Sequence, residues 1–196
     1  MSSTINASTA SGGGVITSAD ASGILQLQTA GVTGLTIDAS QNVTLAKGLT
    51  VGASAAPAFS AYSSTNQTAL ASSASVKTVI NTEIFDTNNN FDSTTNYRFT
   101  PAVAGYYQIN ASISFTGTLT SAVAKIYVNG AATFNGTYSA SVTNTQINST
   151  VSCLVLLNGS TDYIELFGQA TTSSGTFTML GSSTQTYFQA FLARSA

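Results

Sequence analysis

Residues 105–117, "GYYQINASISFTG", constrain the fold more than any other stretch of this chain. Tyr107, Ile109, Ala111, Ile113 and Phe115 alternate with Gln108, Asn110, Ser112 and Ser114. Wound into a helix, those apolar side chains would scatter around the axis. Extended, they share one face, because successive side chains of a strand point to opposite sides. A long strand with one apolar and one polar face needs a second layer over the apolar side.

The rest of the C-terminal part has the same texture. "AKIYVNGAATF" (124–134) sets Asn129-Gly130 between two strand-like runs, which predicts a tight hairpin. Asn158-Gly159 predicts another, between "TVSCLVLL" and "DYIELFG". Further strands are expected at 59–63, 84–86, 97–100, 176–181 and 186–193, and no helical pattern of roughly ten residues occurs. Roughly eight to ten closely spaced strands imply an all-β sandwich or jelly roll.

Residues 15–56 differ. Three apolar–Thr–apolar triplets, Leu35-Thr36-Ile37, Val43-Thr44-Leu45 and Leu49-Thr50-Val51, each make a very short strand between Gly and Asx-type breakers. "DASGILQL" (20–27) is echoed by "DASQNVTL" (38–45), so Leu25 and Leu27 correspond to Val43 and Leu45. A repeat this short cannot bury its apolar face alone and must stack on neighbours. Residues 1–14, rich in Ser, Thr and Gly, read as a flexible or docking arm. The organisation is an arm at 1–14, a short β-shaft or attachment region at 15–56 and a head at 57–196.

Charge excludes several functions. Only 6% of residues are charged and the net charge is −2, against roughly 25% charged residues in ordinary domains. Lys47, Lys77, Arg98, Lys125 and Arg194 are scattered singly, whereas nucleic-acid binding needs clustered cations. No apolar run approaches the roughly 20 residues of a membrane span; the longest is "CLVLL" (153–157). The stretch "MSSTINASTASGGG" lacks the basic and apolar regions of a signal peptide. Cys153 lies inside the apolar run and reads as a small buried hydrophobe. With so little charge, hydroxyl and amide groups must hydrate the surface, or partner chains must cover it.

Chemistry-bearing residues are few. The chain has no His, so neither a Ser/Thr nucleophile nor the thiol has the usual base. Asp162 and Glu165 are close in sequence, but their parity sets them on opposite faces of a strand. No catalytic residue and no cofactor are expected. "DTNNNFD" spaces Asp86, Asn88, Asn90 and Asp92 like the oxygen ligands of a calcium loop. Phe91 and Tyr97 stand where an EF-hand loop needs Gly and Glu, and an Asx-rich turn accounts for the string without a metal. The triplets starting at Asn110 and Asn148 are chance glycosylation matches in a chain this rich in Asn, Ser and Thr. Most aromatic residues read as core or trimer-axis positions.

The order of aromatic residues and glycines in 81–115 resembles the signature of the complement first-component globular-head family, a TNF-like jelly roll. Asp86, Phe91, Phe99, Pro101, Gly105 and Tyr107 take the signature's places. "PAFSAY" (57–62) and "YFQAFLA" (187–193) match the first and last strands of such domains, so the resemblance spans 57–196. Ile80 replaces the leading Phe, one extra residue separates Phe91 from Phe99, Ile109 and Ala111 replace aromatics, and Ala190 stands where Gly is common. These changes leave the fold inference intact and remove any ligand specificity. The resemblance implies a compact trimer about a three-fold axis, carried on a stalk.

No collagen-like Gly-X-Y tract is present. Instead residues 24–52 resemble the short-stranded β-shafts of bacteriophage fibres and spikes, which implies that identical chains supply the short strands' missing neighbours. Together these resemblances imply a homotrimeric structural protein of a bacteriophage virion surface, on capsid or tail. It would be a short fibre or decoration protein whose N-terminal region docks on other virion proteins. The loops at 88–95, 133–145 and 171–176 are where a host-surface glycan or protein would be met. A capsid decoration protein that mainly stabilises the shell, and a non-viral trimeric adhesin or glycan-binding module, share the same physics. A glycan-cleaving enzyme would need paired carboxylates in a groove.

Overall fold

The computed structural model describes residues 22–29, 32–45, 56–137 and 146–196. The arm at 1–14, the triplet Leu49-Thr50-Val51 and the 138–145 part of the second loop region lie outside them. The described residues fall into two compact units, one within 1–51 and the other within 52–196. Both are all-β, and no helix occurs among the described residues.

In the first unit, β1 (Leu25–Thr29), β2 (Val32–Ile37) and β3 (Val43–Leu45) form an antiparallel sheet in that order. The internal repeat has a direct meaning here. Leu25 and Val43 both stand opposite Ile37, and Leu27 and Leu45 both stand opposite Leu35, so the two copies flank β2 in matching register. The short strands therefore find backbone partners within one chain, which differs from the expectation that copies alone supply neighbours. The reason is the tight turn after β2. The Asp38 carboxylate accepts the Asn42 side-chain amide and the backbone N–H groups of Asn42 and Ser40, each at 2.9 Å. The same bonds, Asn42's first, hold its pKa below the usual value. Side-chain cover is a different matter: Leu25, Leu27 and Val43 stay exposed, while Gln26, Gln28 and Thr33 hydrogen-bond one another on the other face.

The second unit begins with β4 (Ala58–Tyr62), β5 (Gln67–Leu70), β6 (Ser75–Lys77), β7 (Thr82–Asp86), β8 (Phe91–Asp92) and β9 (Arg98–Phe99). It continues through β10 (Gly105–Thr116), β11 (Leu119–Val128), β12 (Ala131–Asn135) and β13 (Ile147–Leu157). It ends with β14 (Ile164–Thr172), β15 (Phe177–Leu180) and β16 (Tyr187–Ser195). One antiparallel sheet runs β5-β15-β10-β16-β4-β7, with β13 also pairing β10. The second runs β12-β11-β14-β9-β8, with β6 also pairing β14. The short strands β5, β6 and β8 go unseen in the sequence because none shows period-two alternation.

The two sheets close on the predicted face of β10: Tyr107, Ile109, Ala111, Ile113 and Phe115 are all buried. The polar face is not wet throughout. Ser112 and Ser114 are buried too, and Ser114 is held by Asn148, Gln146 and Thr186. At one end of the core Phe59 stacks on Phe91 (centroids 4.5 Å apart) and on Phe99 (4.7 Å), and meets Phe188 edge-on at 5.0 Å. Phe99 in turn meets Tyr107 at 5.6 Å. The spaced aromatics of the family signature are thus one cluster that bolts the sheets together, with Phe59, Phe188 and Tyr107 from one and Phe91 and Phe99 from the other. The Tyr107 hydroxyl donates to the Val103 carbonyl at 2.7 Å, and burial pushes its pKa up to about 12.

The two predicted Asn-Gly turns have different fates. Asn129 and Gly130 both take positive φ (52° and 78°) and join β11 to β12, as a two-residue hairpin requires. Asn158-Gly159 makes no hairpin. Strands β13 and β14 belong to different sheets, and residues 158–163 cross between them. Gly159 is needed there because a Cβ would lie 2.2 Å from the backbone nitrogen of Ala104.

Candidate functional site

The calcium-like string resolves into two turns. Asp86 accepts the backbone N–H of Asn88 (3.1 Å) on one oxygen and that of Phe91 (2.7 Å) on the other. Asn90 accepts from Ala102 and donates to the Asn88 carbonyl. Asp92 accepts the backbone N–H groups of Thr94, Thr95 and Asn96 and the Asn96 side-chain amide, all within 3.0 Å. The two carboxylates close separate turns, which is the Asx-turn reading of the string. Among the described residues no three His, Cys, Asp or Glu side chains gather as a metal site. The role of Asp86 is structural, because its bond to the Phe91 N–H seats that ring on Phe59.

The backbone N–H groups of Thr95 and Thr94 hold the Asp92 carboxyl well below the usual aspartate range. A depressed folded-state pKa contributes stability that is present above the unfolded value of 3.8 and is lost as pH falls below it. Asp92→Asn should therefore lower the melting temperature near neutral pH, and the gap to the parent should close between about pH 5 and pH 2. Thermal melts across that range test this; a gap independent of pH would contradict it.

Asp162 lies in the loop before β14, so the parity argument that placed it opposite Glu165 on a strand does not apply. It accepts from the Asn129 side chain and the Asn158 backbone, each at 2.9 Å, whereas Glu165 is buried against Lys77. Each is committed to its own structural partner. Cys153 is half-buried, lies opposite Ile109 and packs on the core; burial pushes its thiol up to about 11, far from a reactive thiolate.

An exposed apolar face is absent from the sequence-based expectations. In "CLVLL" both parities are apolar, so alternation gives no sign of which way each residue points. The structure sends Val151, Val155 and Leu157 into the core and leaves Leu154 and Leu156 more than half exposed. Register brings other large residues beside them on the outer side of the same sheet. Leu156 stands opposite Tyr106, which stands opposite Arg194; Leu154 stands opposite Gln108, which stands opposite Phe191. Phe85, opposite Ser60, lies on this side as well. Tyr106, Leu154, Leu156, Phe191 and Phe85 are all between 40% and 54% exposed. Beside them Gln108, Asn110 and Ser152 form a hydrogen-bonded polar strip, and Gln189 bonds Ser60. A groove of about 480 Å³ runs along Tyr106, Leu154, Leu156 and residues 193–196. The one legible sign was a strand apolar on both parities, since such strands ordinarily have both faces covered.

A second, polar concavity of about 570 Å³ opens at the side of the sandwich, where edge strands β7 and β8 meet. Glu83, Asn89, Asp92, Asn96 and Arg98 contribute to its lining.

Comparison with solved structures identifies the architecture. The crystal structure of murine APRIL at pH 8.5 superposes with a TM-score of 0.53 at 8% identity, over 70% of this chain and 98% of that one. The globular domain of zebrafish complement 1qA gives 0.50 at 13% identity, over 71% and 99%. Eiger TNF from S. frugiperda gives 0.53 at 9% identity, over 72% and 94%. The head is a TNF-like jelly roll. At these identities the likeness concerns the fold alone. No protein-family model matches the chain, and no curated protein matches it significantly in sequence. In this jelly roll the apolar face belongs to the sheet containing β4, β10, β13 and β16, and the polar cleft lies where the β7 edge of that sheet meets the β8 edge of the other.

Proposed function

We propose that the chain is a homotrimeric structural protein of a bacteriophage virion surface, a short fibre or decoration protein whose jelly-roll head binds rather than catalyses. The observation that carries the trimer is the exposed face of Tyr106, Leu154, Leu156, Phe191 and Phe85 in a chain that has few charges to keep such a surface solvated. In a closed cyclic assembly every copy makes the same contact, and a three-fold axis would convert a few apolar residues per chain into a core. The trimers implied by the family resemblance use this fold.

The first unit supports the same assembly. A three-stranded sheet with exposed Leu25, Leu27 and Val43 on one side is marginal by itself, and packing against its copies would give it the missing layer. In this reading residues 1–14 dock on other virion proteins, 15–56 form the shaft and 57–196 form the head. Strands of three to six residues span little distance, which favours a short fibre or a shell-decorating trimer over a long tail fibre. Among the described residues each carboxylate accepts a hydrogen bond from a neighbouring group, so none is singled out for catalysis.

Sedimentation equilibrium of the full chain tests the proposal. A trimer gives about 60 kDa, three times the 19.9 kDa chain mass, and persists on dilution. A stable 19.9 kDa monomer would overturn it. Labelling intact particles then distinguishes capsid from tail.

A further inference from the structure

The polar cleft between β7 and β8 shares no lining residue with the apolar groove. Its chemistry is specific. Arg98 is half-buried on β9, with its guanidinium 4.5 Å over the Tyr163 ring. Among the described residues that guanidinium makes no hydrogen bond, so its fork of donors is uncommitted beside the Tyr163 ring. Glu83 holds the Ser93 hydroxyl with one carboxylate oxygen, which leaves the other able to accept. Asn89, at φ 54°, adds an exposed amide at the rim.

The charge balance selects the ligand. Arg98 lies in register between Asp92 and Glu165, and Glu83 lines the same cleft. Arg98 and Lys77, the latter paired with Glu165, stand against the carboxylates of Glu83, Asp92 and Glu165, which leaves no surplus positive charge for a phosphate, sulfate or uronate. A hydroxyl, in contrast, both donates and accepts. Paired sugar hydroxyls match a guanidinium donor, a carboxylate acceptor and an amide that line one concavity. The cleft volume of about 570 Å³ is that of a small-ligand site.

We infer that this cleft is a binding site for a neutral saccharide, with Arg98 donating to ring hydroxyls, Glu83 accepting from them and Asn89 closing the rim. The inference deepens the reading of the head as a binding module, on which it rests, and names a site and ligand class for it. The inference assigns the whole site to one chain, so it does not require trimer formation.

The test uses the full-length chain on an array of immobilised neutral hexose and N-acetylhexosamine oligosaccharides, with uronic-acid oligosaccharides alongside. The parent should bind neutral spots. Arg98→Gln and Glu83→Gln should each weaken binding about tenfold or more, the cost of losing a charge-assisted hydrogen bond. Asn89→Gly keeps the left-handed backbone and removes the amide, so it tests the site at an exposed position even if an Arg98 variant folds poorly. Lys125→Gln, on the same sheet but outside the cleft, should bind as the parent does. A blank array, binding confined to uronates, or neutral-sugar binding unchanged in all three cleft variants would each overturn the inference. Sedimentation of the same samples separates the two proposals. A blank array with trimeric mass removes the cleft site alone, and a saccharide-binding monomer removes the trimer alone.

Discussion

Replacing Leu154 and Leu156 together with glutamate should convert the proposed trimer into folded monomers. Both side chains point away from the core and stand more than half exposed on β13. Covering each one contributes on the order of 1 kcal/mol, repeated in every copy. A carboxylate placed there would have to be desolvated without a partner, at a cost of several kcal/mol. Together these terms should raise the dissociation constant roughly a thousandfold or more. The intramolecular fold should survive, because Val151, Val155 and Leu157 keep filling the inner face of the same strand. Sedimentation equilibrium reads the mass, and near-ultraviolet circular dichroism reads the tertiary packing. A variant that remains trimeric would show that this face is not where the copies meet.

Phe59→Ala should have the opposite signature, damaging the fold itself. The ring lies within 5.0 Å of the Phe91, Phe99 and Phe188 rings, centroid to centroid, and is 1% exposed. Truncation removes the central member of a cluster that ties both sheets together and leaves a cavity that neighbouring backbone, fixed by strand pairing, cannot fill. The expected loss is about 3–5 kcal/mol, which in a chain of this size lowers the melting temperature by roughly 10 °C. Phe191→Ala, on the same strand as buried Phe188 but on the outer face, should leave monomer stability nearly unchanged and weaken association. Denaturant melts at low protein concentration separate the two effects. Equal losses from both substitutions would mean that the inner and outer faces have been assigned wrongly.

The paired variants show why some of this molecule was legible beforehand. Alternation in β10 carries direct information, because only one parity is apolar. The register of the aromatic signature carries more: Phe91, Phe99 and Tyr107 must be spaced to join the cluster around Phe59 from three different strands. In β13 the same reasoning fails, since leucine and valine occupy both parities and the pattern is silent about direction. The Asn158-Gly159 turn misleads for a related reason. Local turn chemistry is the same whether the chain doubles back within a sheet or crosses to the other one, and only the pairing of β13 with β10 and β14 with β11 separates the cases. The candidate cleft was half visible. Residues 86–92 stand out in the sequence as oxygen-rich, but Arg98 and Glu83 reach the same concavity only because two sheet edges meet there.

What the amino-acid order determined by itself is local and periodic: strand content, the face of β10 that is buried, the Asn129-Gly130 hairpin, and a repeat whose two copies take equivalent places beside β2. Those properties depend on backbone sterics and on side-chain alternation, both of which act over a few residues. What the tertiary structure alone decided is which surfaces were left over. The outward row of Leu154, Leu156, Tyr106 and Phe191 and the cleft around Arg98 are assembled from residues as far apart as Glu83 and Phe191. Long-range strand register brings them together, and register is set by the summed burial of the whole sandwich rather than by any one segment.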